Sequence, residues 1–312
     1  EAIETLRKET NAIDQDLPAF VIGENGEPVG TIEDGDSVIF FNFRGDRAIE
    51  ISKAFEDPDF AHFDRKRWPQ VAYAGMLEYD GDLHIPKRFL VNPPFIKNTL
   101  SEHLVKTGIS MLAVAETQKF GHVTYFWNGN NSGKFDEILE TFVEVPSDIV
   151  PFEQRPWMKA AEVTDKVIEL MSTGNYRFVR MNLANGDMVG HTGNYQAAKI
   201  AVETVDLCLG RLIPVIKKMG GVLIITADHG NADEMYETDK NGKAKVDSDG
   251  KIKAKTSHTL SKVPFIIYDP ANAGKYRLKD GNFGLSNIAA TVVNLLGYEA
   301  PEMWNESMVE FL

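Results

Sequence analysis

The feature that most constrains this chain is a recurring alternation. Short apolar runs four to seven residues long are separated by longer stretches with helical periodicity. The runs at 38–43, 71–77, 110–115, 122–127, 177–182, 222–226 and 263–268 read as strands. Stretches at 46–55, 157–172, 196–218 and 285–296 read as amphipathic helices between or after them. Continuous rather than alternating apolar character predicts strands covered on both faces, as in a mostly parallel sheet with helices on each side. The predicted fold class is therefore α/β.

At 312 residues the chain is long enough for two cores, and Pro93-Pro94 forms a rigid break between two such stretches. The boundary is placed between Pro94 and Gly108. This gives a first unit over 1–97, a connector over 98–107 and a larger unit over 108–312.

With 43% apolar and 25% charged residues, the composition is that of an ordinary globular protein. The formal net charge of -13 argues against a generic nucleic-acid or anionic-membrane surface, either of which needs clustered cations. No apolar run approaches a membrane span, and the N-terminus lacks a secretory pattern. One cysteine, Cys208, falls in an apolar helical stretch, which excludes a disulfide within the chain and fits a reducing, cytoplasmic setting.

The segment 236–255 is a polar excursion holding the hairpin-turn dipeptides Asn241-Gly242 and Asp249-Gly250. Its lysines are interleaved with acids, which reads as a solvated surface hairpin rather than a basic lure. No internal repeat is expected. The chain opens at Glu1 inside what resembles an amphipathic helix without a cap, so the expectation is a portion of a longer polypeptide.

Chemistry concentrates in three motifs: Asp187-Met-Val-Gly-His191, Asp228-His229-Gly230-Asn231 and Ser257-His258-Thr259. They hold three of the seven histidines. Two carboxylates and three imidazoles form a mixed oxygen and nitrogen donor set suited to two neighbouring divalent ions. Asp187 and His191 follow one strand and Asp228-His229 follow another, where ligands gather in open α/β sheets. His258 precedes a strand, so the polar excursion must fold back to bring it in. Taken singly, Asp187 is explained by turn chemistry and His258 by a surface loop; Asp228-His229 at a strand end is not.

Arg44 and Arg47 pose a further question. A cation in the first turn of a helix opposes its dipole, and a bound anion would offset it. A guanidinium fork adds bidentate contacts. Pairing with Asp46 is the alternative.

The segments 182–193, 226–233 and 257–265, together with 40–47 and Ala115-Glu-Thr-Gln-Lys-Phe-Gly-His122, closely resemble cofactor-independent phosphoglycerate mutase. That family belongs to the alkaline-phosphatase-like metalloenzymes. The resemblance implies an alkaline-phosphatase-like metal domain over 108–312 and part of a second α/β substrate domain over 1–97. It assigns Asp187, His191 and His258 to one metal, and Asp228 and His229 to part of the second. Manganese is the usual family ion, with magnesium, cobalt or zinc in some members, and no bisphosphoglycerate is needed. Lys119 would contact the transferring phosphoryl group, and Arg44 and Arg47 the phosphoglycerate.

The family relays phosphate through a serine, and that serine motif is absent from these residues, as is an aspartate shared with the second metal. The chain therefore matches the later, C-terminal part of the family pattern, and alone it is expected to be inactive. The expected parent enzyme is a monomer that interconverts 3-phosphoglycerate and 2-phosphoglycerate. A related phosphatase, a phosphopentomutase or a non-catalytic metal-binding protein are the alternatives.

Overall fold

A computed structural model describes residues 2–10, 17–43, 46–80, 83–92, 96–131, 133–247 and 249–312. The chain divides into two compact units, Glu1–Pro93 and Pro94–Leu312. No helix among the described residues is long and apolar enough to cross a membrane.

The first unit holds α1 (Ala2–Thr10), the short hairpin β1 (Gly23–Glu24) and β2 (Glu27–Pro28), β3 (Ser37–Phe40), α2 (Asp46–Glu56) and β4 (Ala72–Gly75). Asn25 and Gly26 turn the hairpin with positive φ, the demand that a two-residue turn makes. β3 and β4 pair in parallel, with α2 as the crossover between them. Ser52 of α2 donates to the Ala48 carbonyl and meets the Tyr73 hydroxyl at 3.0 Å, while Phe55 stacks on Tyr73 at 4.9 Å. Arg44 lies outside the described residues, as does the side chain of Arg47.

The second unit begins with α3 (Leu100–Lys106), within the span expected to be a connector. Thr99 and Glu102 form a reciprocal capping box, and Leu100 and Leu104 are buried in the unit's own core. β5 (Met111–Glu116) follows, then α4 (Thr117–Val123), β6 (Glu140–Val145), α5 (Ala160–Met171) and β7 (Phe178–Met181). Next come α6 (Asn185–Gly190), α7 (Tyr195–Met219), β8 (Leu223–Thr226), β9 (Phe265–Tyr268), β10 (Tyr276–Leu278), α8 (Ile288–Leu295) and β11 (Val309–Phe311).

β5 is the middle strand of an all-parallel sheet ordered β6-β5-β7, and all six of its residues are buried. β8 pairs antiparallel with β9. One face of these strands packs on α5 and α7 through Leu112, Val114, Val163, Val167, Leu212 and Ile216. The other packs on α3 and α8 through Leu104, Met111, Val292 and Val293. The result is the expected layering of helices on both sides of mostly parallel strands. α7 carries its own stop and start signals. Asn194 accepts from the Ala197 amide at its beginning, and Gly220 closes it with φ 66° after Lys217 and Lys218.

Two expectations require correction. Residues 122–127 were expected as a strand, but His122 and Val123 end α4 and the chain then coils. Thr124 donates to the Phe120 carbonyl and buried Asn128 donates to Glu140, so side-chain partners outweigh the β-branched and aromatic propensity. The strand beside β5 is instead β6, whose sequence Glu-Thr-Phe-Val-Glu-Val is too polar to stand out. The polar excursion also contains a short repeat. Asp239 and Asp247, eight residues apart, each accept two backbone amides ahead of Gly242 and Gly250, both at φ 77°.

Candidate metal centre

Four of the five candidate ligands owe their place to a strand end. β7 delivers the chain to α6, whose first turn carries Asp187 and whose C-cap is His191. Four residues apart on a helix, the two side chains share a face, and the His191 amide donates to the Asp187 carbonyl at 3.0 Å. β8 ends at Thr226, two residues before Asp228 and His229. The polar excursion folds back: Tyr236 bridges Ala254, the Lys255 amide donates to the Met235 carbonyl, and Thr259 bridges Gly230. That return seats His258 beside the other motifs.

Three ligand atoms converge closely. Asp187 Oδ1 lies 3.0 Å from His191 Nε2 and 3.1 Å from His258 Nε2, and the two Nε2 atoms are 3.1 Å apart. Adjacent ligands of a six-coordinate ion bound at about 2.1 Å stand about 3.0 Å apart, against about 3.4 Å in a tetrahedron. The tripod therefore matches one face of an octahedron. His229 stacks on His258 at 3.6 Å and its Nε2 is 4.0 Å from Asp187 Oδ1. Asp187, His229 and His258 thus form a second, overlapping grouping, with ligand atoms within 4.8 Å of one another. Asp228 Oδ2 reaches His229 Nε2 at 3.5 Å. Asp187, Asp228 and His229 line one cleft, and His191 and His258 approach Asp187 beside it.

The surroundings fix their chemistry. The Thr256 carbonyl sits 2.6 Å from His191 Nδ1 and so orients Nε2 toward the tripod, the carbonyl-to-imidazole support common around metals. Lys119 is buried at the kinked start of α4. Its Nζ is 2.6 Å from Asp187 Oδ2 and 3.9 Å from Asp228 Oδ2, between the two carboxylates. Burial pushes the Asp187 carboxyl up, but hydrogen bonds from Lys119 and Asn231 overcome this and hold it down to about 2. Burial and the neighbouring His229 lower the His258 imidazole, favouring the neutral ligand form. Burial, and then Lys119, lower His122 in the same cleft.

Several supporting residues had no assigned role in the sequence. Asn231 donates to Asp187 Oδ1 at 2.8 Å and to its carbonyl at 3.2 Å. Asp233 accepts from Thr259, tying the Asp228 and His258 motifs together. Gly230 is required between them, because a Cβ there would meet Thr259 Oγ1 and Asp233 Oδ1. Their presence inside the same motifs was the available signal. Buried Glu116, the residue before α4, accepts from Ser147 Oγ at 3.0 Å. Burial raises its carboxyl above the ordinary range.

Known proteins resemble this chain over nearly its whole length. A model of the metalloenzyme superfamily matches residues 16–300. A probable 2,3-bisphosphoglycerate-independent phosphoglycerate mutase of Leptospira interrogans is 53% identical over 99% of this chain and 57% of its own length. The 2,3-bisphosphoglycerate-independent phosphoglycerate mutase of Trypanosoma brucei is 49% identical over 99% and 57%. A crystal structure of Leishmania mexicana phosphoglycerate mutase at low cobalt concentration superposes with a TM-score of 0.91 at 50% identity, covering 100% of this chain and 57% of that one. The chain thus spans a little over half the length of these relatives. The Asp and His donors gathered at the strand ends and the match across most of the sequence lead to one conclusion: the chain belongs to the metalloenzyme superfamily.

Proposed function

We propose that this chain is the metal-holding part, with a portion of the substrate domain, of an enzyme interconverting 3-phosphoglycerate and 2-phosphoglycerate without bisphosphoglycerate. The observation carrying this reading is the tripod of Asp187 Oδ1, His191 Nε2 and His258 Nε2, with Lys119 Nζ beside it. Asp187, His191 and His258 hold one divalent ion; Asp228 and His229 contribute to a second. The mixed oxygen and nitrogen donors suit manganese, with magnesium, cobalt or zinc as the other candidates. Ions bound there supply Lewis-acid polarisation of phosphoryl oxygens and favour ionisation of an attacking hydroxyl.

The remaining work falls to side chains. Lys119, placed between two carboxylates, exchanges one of them for a phosphoryl oxygen and neutralises charge that spreads over the phosphate during transfer. Arg44 and Arg47, in the substrate-domain portion, bind the phosphoglycerate, and the unit Pro94–Leu312 is the metal domain. The phosphoryl group leaves one glycerate oxygen for a serine hydroxyl and returns from it to the other oxygen, so bonds made and broken balance without net hydrolysis. That serine lies in polypeptide beyond these 312 residues, and the chain alone is inactive. The parent enzyme is a monomer of the cytoplasm, where a buried, unpaired Cys208 is stable.

The test is to supply the complete polypeptide carrying this chain with 3-phosphoglycerate and follow phosphorus resonances with and without manganese. Metal-dependent appearance of 2-phosphoglycerate is expected. Release of inorganic phosphate without isomerisation would overturn the mutase reading in favour of a phosphatase.

A further inference from the structure

Lys119 reaches Asp187 from a helix that lacks a cap of its own. α4 begins at Thr117, and the residue ahead of it, Glu116, makes no side-chain hydrogen bond to the first turn. A helix start leaves amides unmet, and a side-chain oxygen normally receives one of them. Here the oxygen comes from the neighbouring strand. Glu116 and Val145 are the last paired residues of β5 and β6. Beyond them Pro146 offers no amide, and the β5 side turns into α4. Ser147 then takes up the pairing with its side chain. Its Oγ accepts from the Gln118 amide at 3.4 Å and donates to Glu116 Oε2 at 3.0 Å, while its own amide donates to Thr117 Oγ1 at 3.1 Å. Thr117 Oγ1 in turn donates to Glu144 Oε1 of β6 at 2.5 Å.

Three successive residues, Glu116, Thr117 and Gln118, are thus tied to Ser147, and the next residue is Lys119. Its backbone leaves the helical region, at φ -127° and ψ 15°, so the helix ladder alone does not set where the side chain starts. The far end of α4 is held separately, by Arg180 Nε donating to the Val123 carbonyl at 2.7 Å. Ser147 itself sits on a braced loop. The adjacent Asp148 is gripped by Arg155 Nη1 and Lys159 Nζ, each at 2.9 Å.

We propose that Ser147 is a positioning residue for Lys119: it caps α4 from the adjoining strand and so holds the Lys119 ammonium against Asp187, 2.6 Å away. This role rests on the part in phosphoryl transfer proposed above for Lys119. A cation that meets charge developing during transfer is needed most in the transition state. A loosened first turn therefore costs turnover rather than binding of substrate or metal. Displacement of such a group by about 1 Å costs about a hundredfold in rate.

The test uses the complete polypeptide carrying this chain, with 3-phosphoglycerate and manganese. Ser147→Ala is expected to lower kcat about tenfold or more, with KM and manganese affinity within about threefold of the parent. Ser147→Thr keeps the hydroxyl and should restore at least about half of kcat. In a Lys119→Met background the further change from Ser147→Ala should be less than about twofold, because nothing remains to be positioned. Crystals of Ser147→Ala should show Lys119 Nζ withdrawn beyond about 3.5 Å from Asp187 Oδ2. Should Ser147→Ala not fold, Thr117→Val breaks the same link from the α4 side and should lower kcat in the same way. Unchanged kcat, an equal loss in the Lys119→Met background, or a loss that Ser147→Thr does not repair would overturn the proposal. A parent enzyme that fails to isomerise phosphoglycerate would overturn the mutase reading instead, and the place of Lys119 in the Ser147→Ala crystals would then decide the positioning role alone.

Discussion

Removing Lys119 probes the electrostatic arrangement of the centre. The Lys119 ammonium and Asp187 carboxylate approach to 2.6 Å, with side-chain exposures of 5% and 13%. Lys119→Met keeps the length of the stem but leaves Asp187 charged, largely buried and beside Asp228. Breaking a buried pair from one side costs about 3–5 kcal/mol, and the residual exposure of Asp187 places it near 3. The depression of Asp187 from 3.8 to about 2 gives a second figure of roughly 2.5 kcal/mol. That value nets the burial penalty against all partners, so the truncation figure is the larger. Urea unfolding of the metal-free chain is the assay. With a slope of about 3 kcal/mol per molar, the midpoint should fall by about 1 M. Asp187→Asn in the same background removes the stranded charge, so the double variant should be more stable than Lys119→Met alone, with a coupling of about 2 kcal/mol. Costs of the two substitutions that add to within about 0.5 kcal/mol would refute the pairing.

Three further outcomes are expected. Glu116→Gln should keep the acceptor for Ser147 while removing a buried charge. The folded Glu116 carboxyl titrates above its unfolded value, so it lowers stability as pH rises from the ordinary carboxylate range through the raised folded value. The variant should therefore match the parent in acid and exceed it at neutral pH by thermal melting; a variant less stable at both would contradict this. Gly230→Ala forces Thr259 and Asp233 apart and shifts His258, so manganese affinity by calorimetry should drop at least tenfold with helical circular dichroism unchanged. Asn231→Ala removes two hydrogen bonds to Asp187 and should weaken manganese binding about 10–100-fold, as other losses of ligand support do; unchanged affinity would show that Lys119 alone orients the carboxylate.

What the sequence revealed follows a physical divide. β5 was legible because a strand covered on both sides must be apolar throughout, and α7 was legible through its periodicity. β6 was hidden because half its residues are polar, and 122–127 misled because local propensity is subordinate to the bonds of Thr124 and Asn128. At the centre, the ligand-type residues stood out as rare side chains clustered at strand ends. Their mutual distances did not, because His258 arrives through a 20-residue excursion whose fold-back depends on the Gly230–Thr259 bridge. For Asn231 and Asp233 the motifs signalled position but not role, since an amide or carboxylate supporting a ligand has the same composition as one in a turn.

The central claim is that Asp187, His191 and His258 grip one cation. Anomalous diffraction at the manganese edge, from crystals grown with manganese, tests it most directly. The expected result is a peak about 2.1 Å from Asp187 Oδ1, His191 Nε2 and His258 Nε2 together, lost in His258→Ala. A peak elsewhere in the cleft, or one that persists at full height in that variant, would contradict the account.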